Sequence, residues 1–242
     1  RTLAYQDRIM QEAHRATGPT DTVLDGCGWA LHREPAYRYW FLALNVRLLS
    51  HQGGMTPYAP EELTLHPPGA VISNGRLVSW LQEWPGLVPV VTSHYLPVLP
   101  NLWLPGLSAR VDESRRRAEW TVPRSGVYRV AGSASLAGHP WFRSPLAIGM
   151  GGFRQGPGVA LDLRDIPALP SGTLVLRVND REVEVAQGGL PLRQGDRVTA
   201  EWKGTGALGL FLSPMDRNLI FQPGVVGVNL DEAFYTYYRN DA

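Results

Sequence analysis

Hydrophobic and polar residues alternate with a period of two through most of the second half of the chain. The clearest stretch runs from Ala118 to Ala137, where the alternating segments Glu119–Val122 and Gly126–Ser135 meet at a Pro123–Gly126 turn. Such alternation is typical of strands with one buried face. Further strands are predicted near 145–149, 173–178, 181–187, 197–202, 205–213 and 219–229. Eight short strands in about 110 residues predict an all-β, two-sheet sandwich of the jelly-roll type.

The first half of the chain is predicted to be β-rich as well, with one short N-terminal helix. Leu3, Ile9, Met10 and Ala13 recur at helical spacing, and Gly18-Pro19 ends the pattern. This helix is either a lid on its own chain or an arm that docks on a neighbouring subunit, and the sequence leaves both open. Strands are expected at 22–32, 37–50, 62–66 and 70–80.

A strongly apolar segment at 83–106 carries five prolines. Because proline cannot donate to a sheet ladder, this strap is predicted to be extended and partly polyproline-like, not a regular central strand. Its apolar side chains either pack on the protein's own surface or lie against another subunit. The candidates for such an interface are Leu87, Val91, Tyr95, Leu99 and Trp103.

The C-terminal tail is dense in aromatic residues, which favours docking over fraying. Phe234, Tyr235, Tyr237 and Tyr238 are therefore further interface candidates. The predicted organisation is a helix or arm at 1–20, a β-rich region with the strap at 21–112, a jelly-roll domain at 113–230 and the tail at 231–242.

Composition narrows the function classes. The 26 glycines and 20 prolines are scattered, as expected for many short strands with tight turns. The net charge of +1 provides no field that would attract nucleic acid or an anionic membrane, and no apolar run is long enough to span a bilayer. No signal peptide is visible, and one cysteine cannot form an intrachain disulfide.

No group of residues in the sequence carries recognisable chemistry. None of the six histidines has ligand spacing to another, and no nucleophile–base pattern is present. We therefore predict no catalytic residues, no metal site and no cofactor, and a protein that is not an enzyme.

Several motifs in the second half match a known superfamily. The pattern Pro-x-x-Gly-x-Tyr occurs at Pro123-Arg124-Ser125-Gly126-Val127-Tyr128. An Asn-Asp turn joins two segments within 174–183, and the pattern L-x-L-x-x-G-D-x-V occurs at 190–198. This part of the chain, about 118–230, resembles the jelly roll of tumour necrosis factor and of the complement globular heads. The resemblance implies a jelly-roll fold and a trimer.

Three functions are weighed on these grounds. The favoured one is a structural or assembly protein, namely a capsid, decoration or fibre subunit of a virion such as a phage, which associates with itself and with other subunits of an extracellular assembly. The alternative is a module that binds a surface glycan or a receptor, with Trp80, Trp84 and Trp141, and also Trp103, as stacking platforms. The third is an enzyme of unknown class.

Overall fold

The structure is a computed structural model that describes most of the chain outside three longer stretches at 38–51, 139–160 and 222–242. The described residues are 2–26, 29–30, 32–37, 52–53, 59–73, 77, 81, 84, 86–99, 101–138, 161–162, 166, 169, 173–185, 189–216 and 220–221.

Four helices and fourteen strands have described bounds. The helices are α1 (Thr2–Ala16), α2 (Pro60–Leu65), α3 (Leu87–His94) and α4 (Ala134–Ala137). The strands of the first half are β1 (Val23–Asp25), β2 (Ala70–Ile72), β3 (Tyr95–Leu99) and β4 (Leu102–Pro105). Those that follow are β5 (Leu107–Val111), β6 (Arg117–Thr121), β7 (Gly126–Ser133), β8 (Leu161–Asp162), β9 (Leu174–Val178), β10 (Arg181–Val183), β11 (Leu190–Leu192), β12 (Arg197–Trp202), β13 (Leu208–Pro214) and β14 (Ile220–Phe221). The predicted all-β class is confirmed.

These strands form three four-stranded sheets and one two-stranded sheet. The order β1-β2-β4-β3 makes a mixed sheet, in which only the pair β1–β2 is parallel. The order β10-β9-β12-β6 makes an antiparallel outer sheet, and β11-β7-β13-β5 makes an antiparallel middle sheet. Strands β8 and β14 pair with each other.

The eight strands of the outer and middle sheets pair in a nested order along the chain. Strand β9 pairs with β10, β7 with β11, β6 with β12 and β5 with β13, so the first of these eight strands meets the last. Every connection between consecutive strands of the set crosses from one sheet to the other, except the β9–β10 hairpin. The chain therefore folds as a long hairpin that is wrapped into two layers.

Alternation along these strands supplies the sandwich core. Trp120 and Val198 from the outer sheet meet Tyr128, Leu210 and Leu212 from the middle sheet in one buried cluster. The predicted hairpin turn is present at Asn179 and Asp180, whose φ angles are 51° and 67°. Two positive-φ residues are what a tight hairpin between twisted strands requires, and Asn and Asp tolerate them.

The Pro-x-x-Gly-x-Tyr motif forms a corner between sheets, because β6 lies in the outer sheet and β7 in the middle sheet. The hydroxyl of Tyr128 donates to the carbonyl oxygen of Arg124 at 2.7 Å. Tyr128 is fully buried, and burial raises the pKa of its hydroxyl. This buried bond fixes the angle at which the chain leaves one sheet and enters the other.

The middle sheet is covered on both faces. In β13, Leu208, Leu210 and Leu212 face the sandwich core, whereas Phe211 between them belongs to the core of the N-terminal region. Ala131 of β7 joins Phe211 in that second core. The N-terminal region thus packs against the back of the middle sheet, and all seven residues of β13 are buried.

The N-terminal region contains more helix than predicted. Residues 62–66, expected as a strand, lie mostly in α2, and the strand expected at 70–80 ends at Ile72, with Leu77 and Leu81 helical and buried. Among the described residues of the strand expected at 22–32, those assigned to a strand are Val23–Asp25. The expected strand at 37–50 lies almost wholly outside the described residues.

The proline-rich strap is not a single extended segment. Its described part folds as α3 followed by the antiparallel strands β3 and β4, and β4 lies between β2 and β3 in the mixed sheet. Pro89 is tolerated because it stands in the first turn of α3, where its missing N–H has no helical partner. Pro97 lies in the edge strand β3, next to a register irregularity at 97–99.

The sandwich begins earlier than the predicted boundary at 112/113. Strand β5 pairs with β13 over Leu107–Val111, so the first strand of the sandwich precedes that boundary. The charged residues that follow β5 begin with a tight turn. There the carboxylate of Asp112 accepts hydrogen bonds from the backbone N–H groups of Ser114 and Arg115, both at 3.0 Å. Within the described residues, β14 pairs with β8 and joins neither sheet of the sandwich.

Candidate functional site

A cleft of about 460 Å³ lies between α1 and the loop that follows β1. Small-molecule sites in proteins typically occupy about 300–1,000 Å³. The residues that line it are Asp7, Met10, Gln11, Ala13, His14, Trp29, Ala30, His32 and Arg33. This concave surface combines an aromatic side chain with several polar groups.

Helix α1 forms one wall because it is amphipathic, as the sequence predicted. Ile9 and Ala13 are buried in the N-terminal core, which fixes the rotation of the helix. Met10, one position further around, is half-buried and turns towards the cleft. Asp7 and Gln11 stand on the same side, and the Gln11 amide Nε2 donates to the Asp7 carboxylate at 2.7 Å.

The opposite wall is shaped by a buried carboxylate. One oxygen of Asp25, at the end of β1, accepts hydrogen bonds from the backbone N–H groups of Trp29 and of Ala30, the latter at 3.0 Å. Asp25 is only 9% exposed. A side chain that binds backbone four and five residues ahead closes a compact loop. This loop places the half-buried indole of Trp29 in the cleft wall.

Arg33 joins the two walls. Its guanidinium donates to the Thr17 hydroxyl and the Thr17 carbonyl, both at 3.0 Å, and to the His14 carbonyl at 3.3 Å. These acceptors belong to the C-terminal end of α1, where free carbonyl groups and the helix dipole favour a cation. The main role of Arg33 is therefore to hold the loop against the helix.

Two exposed histidines complete the rim of the cleft. The rings of His14 and His32 meet edge to face, with centroids 6.3 Å apart and planes at 75°. Each neutral ring offers one donor and one acceptor. With the carboxylate of Asp7 and the amide of Gln11, the cleft presents both donors and acceptors around the indole. That combination suits a ligand with an apolar face and several hydroxyl groups.

The described lining of the cleft combines a carboxylate, an amide, two imidazoles and an indole. Its described lining residues include no Ser, Thr, Cys or Tyr. Among the residues that the structure describes, no group of three or more His, Cys, Asp or Glu is arranged to hold a metal ion.

The outward face of the outer sheet is charged, with acids and bases in mutual contact. Arg177 lies 3.1 Å from Glu201 and 3.8 Å from Glu182, and Arg197 lies 3.5 Å from Glu119. The hydrogen bond from Arg177 is the main cause that lowers the pKa of Glu201. Exposed pairs of this kind contribute little to stability. Their importance is that they make much of the described part of this face charged.

Two of the four edge strands of the sandwich are also poorly suited to strand pairing. Edge strand β11 has the exposed Pro191 at its centre, and edge strand β10 carries the exposed Arg181 and Glu182. Proline and charge on an edge both oppose addition of a further strand.

The predicted interface residues of the strap lie in the chain's own core. Leu87, Val91 and Tyr95 are fully buried, and Leu99 and Trp103 are 8% and 4% exposed. They present no surface to another subunit in this fold, because α3 and the β3–β4 hairpin pack them against the mixed sheet and its neighbours. The tail candidates Phe234, Tyr235, Tyr237 and Tyr238 lie outside the described residues.

Two of the predicted stacking platforms are described by the structure, and neither of them lines the cleft. Trp84 is half-buried against the N-terminal core, and Trp103 is buried in it. Trp80 and Trp141 lie outside the described residues. Trp29, which does line the cleft, is not part of a periodic hydrophobic pattern in the sequence. The local feature that precedes it is Asp25-Gly26, a turn-forming pair at the end of an apolar run.

Comparisons with known proteins return no relatives. No protein-family model matches the chain, no curated protein is significantly similar to it, and no solved structure matches its fold. The resemblance to the tumour necrosis factor and complement superfamily therefore stays a prediction. Within the described part of the chain, no helix has both the length and the apolar character needed to cross a bilayer.

Proposed function

We propose that this protein is a non-enzymatic binding module, built on a jelly roll, that takes a surface glycan in the cleft between α1 and the Asp25–Arg33 loop. The nested pairing of the eight sandwich strands supports the jelly-roll topology, since a jelly roll is an eight-stranded, two-sheet arrangement of this kind.

The observation that carries the proposal is the composition of the cleft. The half-buried indole of Trp29 supplies an apolar platform, and aromatic rings are favoured where a ligand is apolar on one side and hydrated on the other. A sugar ring has such an apolar face together with hydroxyl groups at its rim. Asp7, Gln11, His14 and His32 provide the acceptors and donors for those hydroxyls.

The described surface gives less support to association through the sandwich. The back of the middle sheet is covered by the N-terminal region, the outer sheet is charged, and two edges carry proline or charge. A stable interface buries about 800 Å² on each partner. Large apolar side chains that are exposed among the described residues are few: Leu65, Val127, Val185 and Met215.

The proposal is tested by glycan-array screening followed by calorimetric titration of the best sugar. We expect Trp29→Ala to weaken binding at least tenfold, equivalent to about 1.4 kcal/mol. Trp84→Ala is the matched control, since Trp84 is also half-buried on the N-terminal core but does not line the cleft. Thermal melts of both variants establish that they are folded, and Trp29→Phe serves if the alanine variant is not.

Equal affinities of the wild type, Trp29→Ala and Trp84→Ala would refute the assignment of the cleft. Failure of every glycan to bind at millimolar concentration would refute the ligand class.

A structural or assembly function, including a subunit of an extracellular virion, is a second proposal. Its support is one small apolar patch at the end of β7 and β13, where the exposed Val127 and Met215 adjoin each other and the Met215 N–H donates to the Val127 carbonyl at 2.7 Å. Measurement of the mass in solution tests it. A trimer or larger assembly would support it, and a monomer at micromolar concentration without partner proteins would oppose it.

A further inference from the structure

A buried histidine connects the N-terminal region to the free edge of the outer sheet. His94 is the last residue of α3 and is 8% exposed. Its ring nitrogen Nε2 accepts a hydrogen bond from the backbone N–H of Thr121, the last residue of β6, at 3.3 Å. Because β6 is an edge strand, this N–H faces away from the sheet, and the imidazole supplies its partner.

The other ring nitrogen determines the protonation state of the imidazole. Nδ1 lies 2.9 Å from the carbonyl oxygen of Val90 and 2.8 Å from the Ser93 hydroxyl. Since Nε2 must accept from Thr121 and the Val90 carbonyl can only accept, the proton belongs on Nδ1. The arrangement is thus satisfied by one neutral tautomer.

Two more hydrogen bonds fasten the same end of α3 to the start of the sandwich. The Gly106 N–H donates to the His94 carbonyl at 3.0 Å, and the Ser108 hydroxyl donates to the Thr92 carbonyl at 2.9 Å. His94 therefore stands where the last turn of α3, the entry to β5 and the end of β6 meet. It is the member of this junction that can change its charge near neutral pH.

Protonation of His94 would oppose this geometry in two ways. The new Nε2–H would point at the Thr121 N–H, so that two donors would face each other, and a positive charge would be placed in a buried position. Burial lowers the pKa of His94 below its ordinary value, and the hydrogen bond to the Val90 carbonyl only partly offsets that effect.

No charged side chain stabilises the protonated form. Among the described residues, His94 forms its hydrogen bonds with Val90, Ser93, Gly106 and Thr121 alone. The charged or titratable side chains on the described elements packed against α3 make no hydrogen bond or ion pair with the His94 ring. They belong to Glu61 and Glu62 of α2, Tyr95 of β3, Arg110 of β5, and Arg117 and Glu119 of β6.

We propose that His94 is a pH-sensitive latch, which holds the end of α3 on the edge of the outer sheet when it is neutral and releases it when it is protonated. The latch goes beyond the binding function and does not depend on it, because it lies in a different part of the N-terminal region from the cleft.

The pH dependence follows from linkage. The folded protein binds the proton more weakly than the unfolded chain, so stability is fully present above the unfolded pKa of about 6.5 and is lost as the pH falls below it, down to the lowered pKa of the folded state. Within that window, the unfolding equilibrium constant rises by up to tenfold for each pH unit through His94 alone.

The test compares denaturant unfolding of the wild type and His94→Gln between pH 8 and pH 5. Glutamine keeps an acceptor for Thr121 but does not titrate, and the carboxyl groups common to both proteins cancel in the difference. We expect the wild type to lose stability relative to His94→Gln as the pH falls below about 6.5. His66→Gln, at an exposed histidine beside α2, is the matched control and should follow the wild type.

Parallel stability curves for the wild type and His94→Gln would overturn the proposal. Should His94→Gln not fold, the wild-type imidazole can be titrated by nuclear magnetic resonance. A neutral ring with the proton on Nδ1 and a titration midpoint below 6.5 supports the latch; a midpoint at or above that value overturns it. Hydrogen exchange, corrected for intrinsic rates, should also show that Thr121 loses protection at a higher pH than the β9–β10 hairpin as the pH is lowered. Loss of protection at the same pH in both places would argue against local release.

Discussion

Replacement of Phe211 by alanine tests whether the middle sheet is shared by two cores. Phe211 and its neighbour Leu210 are both fully buried in β13, but they face opposite sides of the sheet. Phe211→Ala removes a large ring from the N-terminal core, and Leu210→Ala removes a smaller side chain from the sandwich core. The two variants differ by one position and act on different halves of the molecule.

Both substitutions should be severely destabilising. Truncation of a buried phenylalanine costs about 3–5 kcal/mol, and of a buried leucine about 2–5 kcal/mol. Because a domain is stable by only about 5–15 kcal/mol, each change removes a large part of the total. For a chain of this size, 1 kcal/mol corresponds to roughly 2–4 °C in Tm, so we expect decreases on the order of 10 °C.

The assay is urea unfolding followed by far-ultraviolet circular dichroism and by tryptophan fluorescence. If the sheet unites the two cores, both probes report one transition in the wild type and in each variant. Leu65→Ala is the control, since Leu65 is 68% exposed and its truncation should change the unfolding free energy by less than about 0.5 kcal/mol.

Two results would refute this reasoning. A loss below about 1 kcal/mol for Phe211→Ala would mean that the ring is not packed as described. Two separate transitions, with Phe211→Ala shifting only one, would mean that the N-terminal region and the sandwich unfold independently.

Two further predictions concern the turns of the sandwich. Tyr128→Phe removes the hydroxyl that donates to the Arg124 carbonyl at the corner between the sheets. We expect the free energy of unfolding, measured by chemical denaturation, to fall by about 1 kcal/mol. An unchanged denaturation midpoint would mean that this hydrogen bond does not stabilise the protein. Gly189→Ala should destabilise the protein more than Gly195→Ala: both glycines have positive φ, but a Cβ at Gly189 would lie 2.6 Å from the Met215 sulfur, whereas nothing lies within 4 Å of one at Gly195. Equal losses in Tm would contradict the packing around Gly189.

The strands of the outer sheet were largely predictable because one face of each is buried and the other is solvated. In β6 the buried Trp120 follows the exposed Glu119, and in β12 the buried Val198 follows the exposed Arg197. This alternation is visible in the sequence. Strand β5 was assigned to the wrong side of the boundary because the charged residues after it resemble a linker. In the structure, hydrogen bonds to the Asp112 carboxylate form a tight turn in these residues, and the chain continues into β6 of the same sandwich.

The helices of the N-terminal region were less predictable because tertiary packing, rather than periodicity, decides them. Pro60 followed by Glu61 and Glu62 is a helix-start signal in α2, yet six residues are too few for a helical period to stand out. In α3, the apolar and β-branched residues favour a strand by propensity. Burial of Leu87 and Val91, one helical turn apart, stabilises the helix instead.

The cleft could not be located from the sequence, because its walls are brought together by contacts over long separations. Arg33 binds carbonyl groups at the end of α1, 16 and 19 residues earlier, and Asp25 reaches the backbone of Trp29 through a loop. Neither contact leaves a periodic pattern. Large aromatic residues mark cores more often than sites, and Trp103 and Trp120, both buried, show why tryptophan alone does not identify a platform.

The pairing of β5 with β13 has a consequence for how the sandwich is carried within a longer chain. Leu107 and Leu212 are direct partners in the ladder, so the chain enters and leaves the sandwich side by side. In an antiparallel ladder such partners have Cα atoms about 4.5–5.5 Å apart. A unit with adjacent ends can be inserted into another protein's surface loop, or circularly permuted, with little distortion of the host. In this chain the adjacent ends place the N-terminal region, which covers the back of the middle sheet, next to the point where the chain leaves the sandwich.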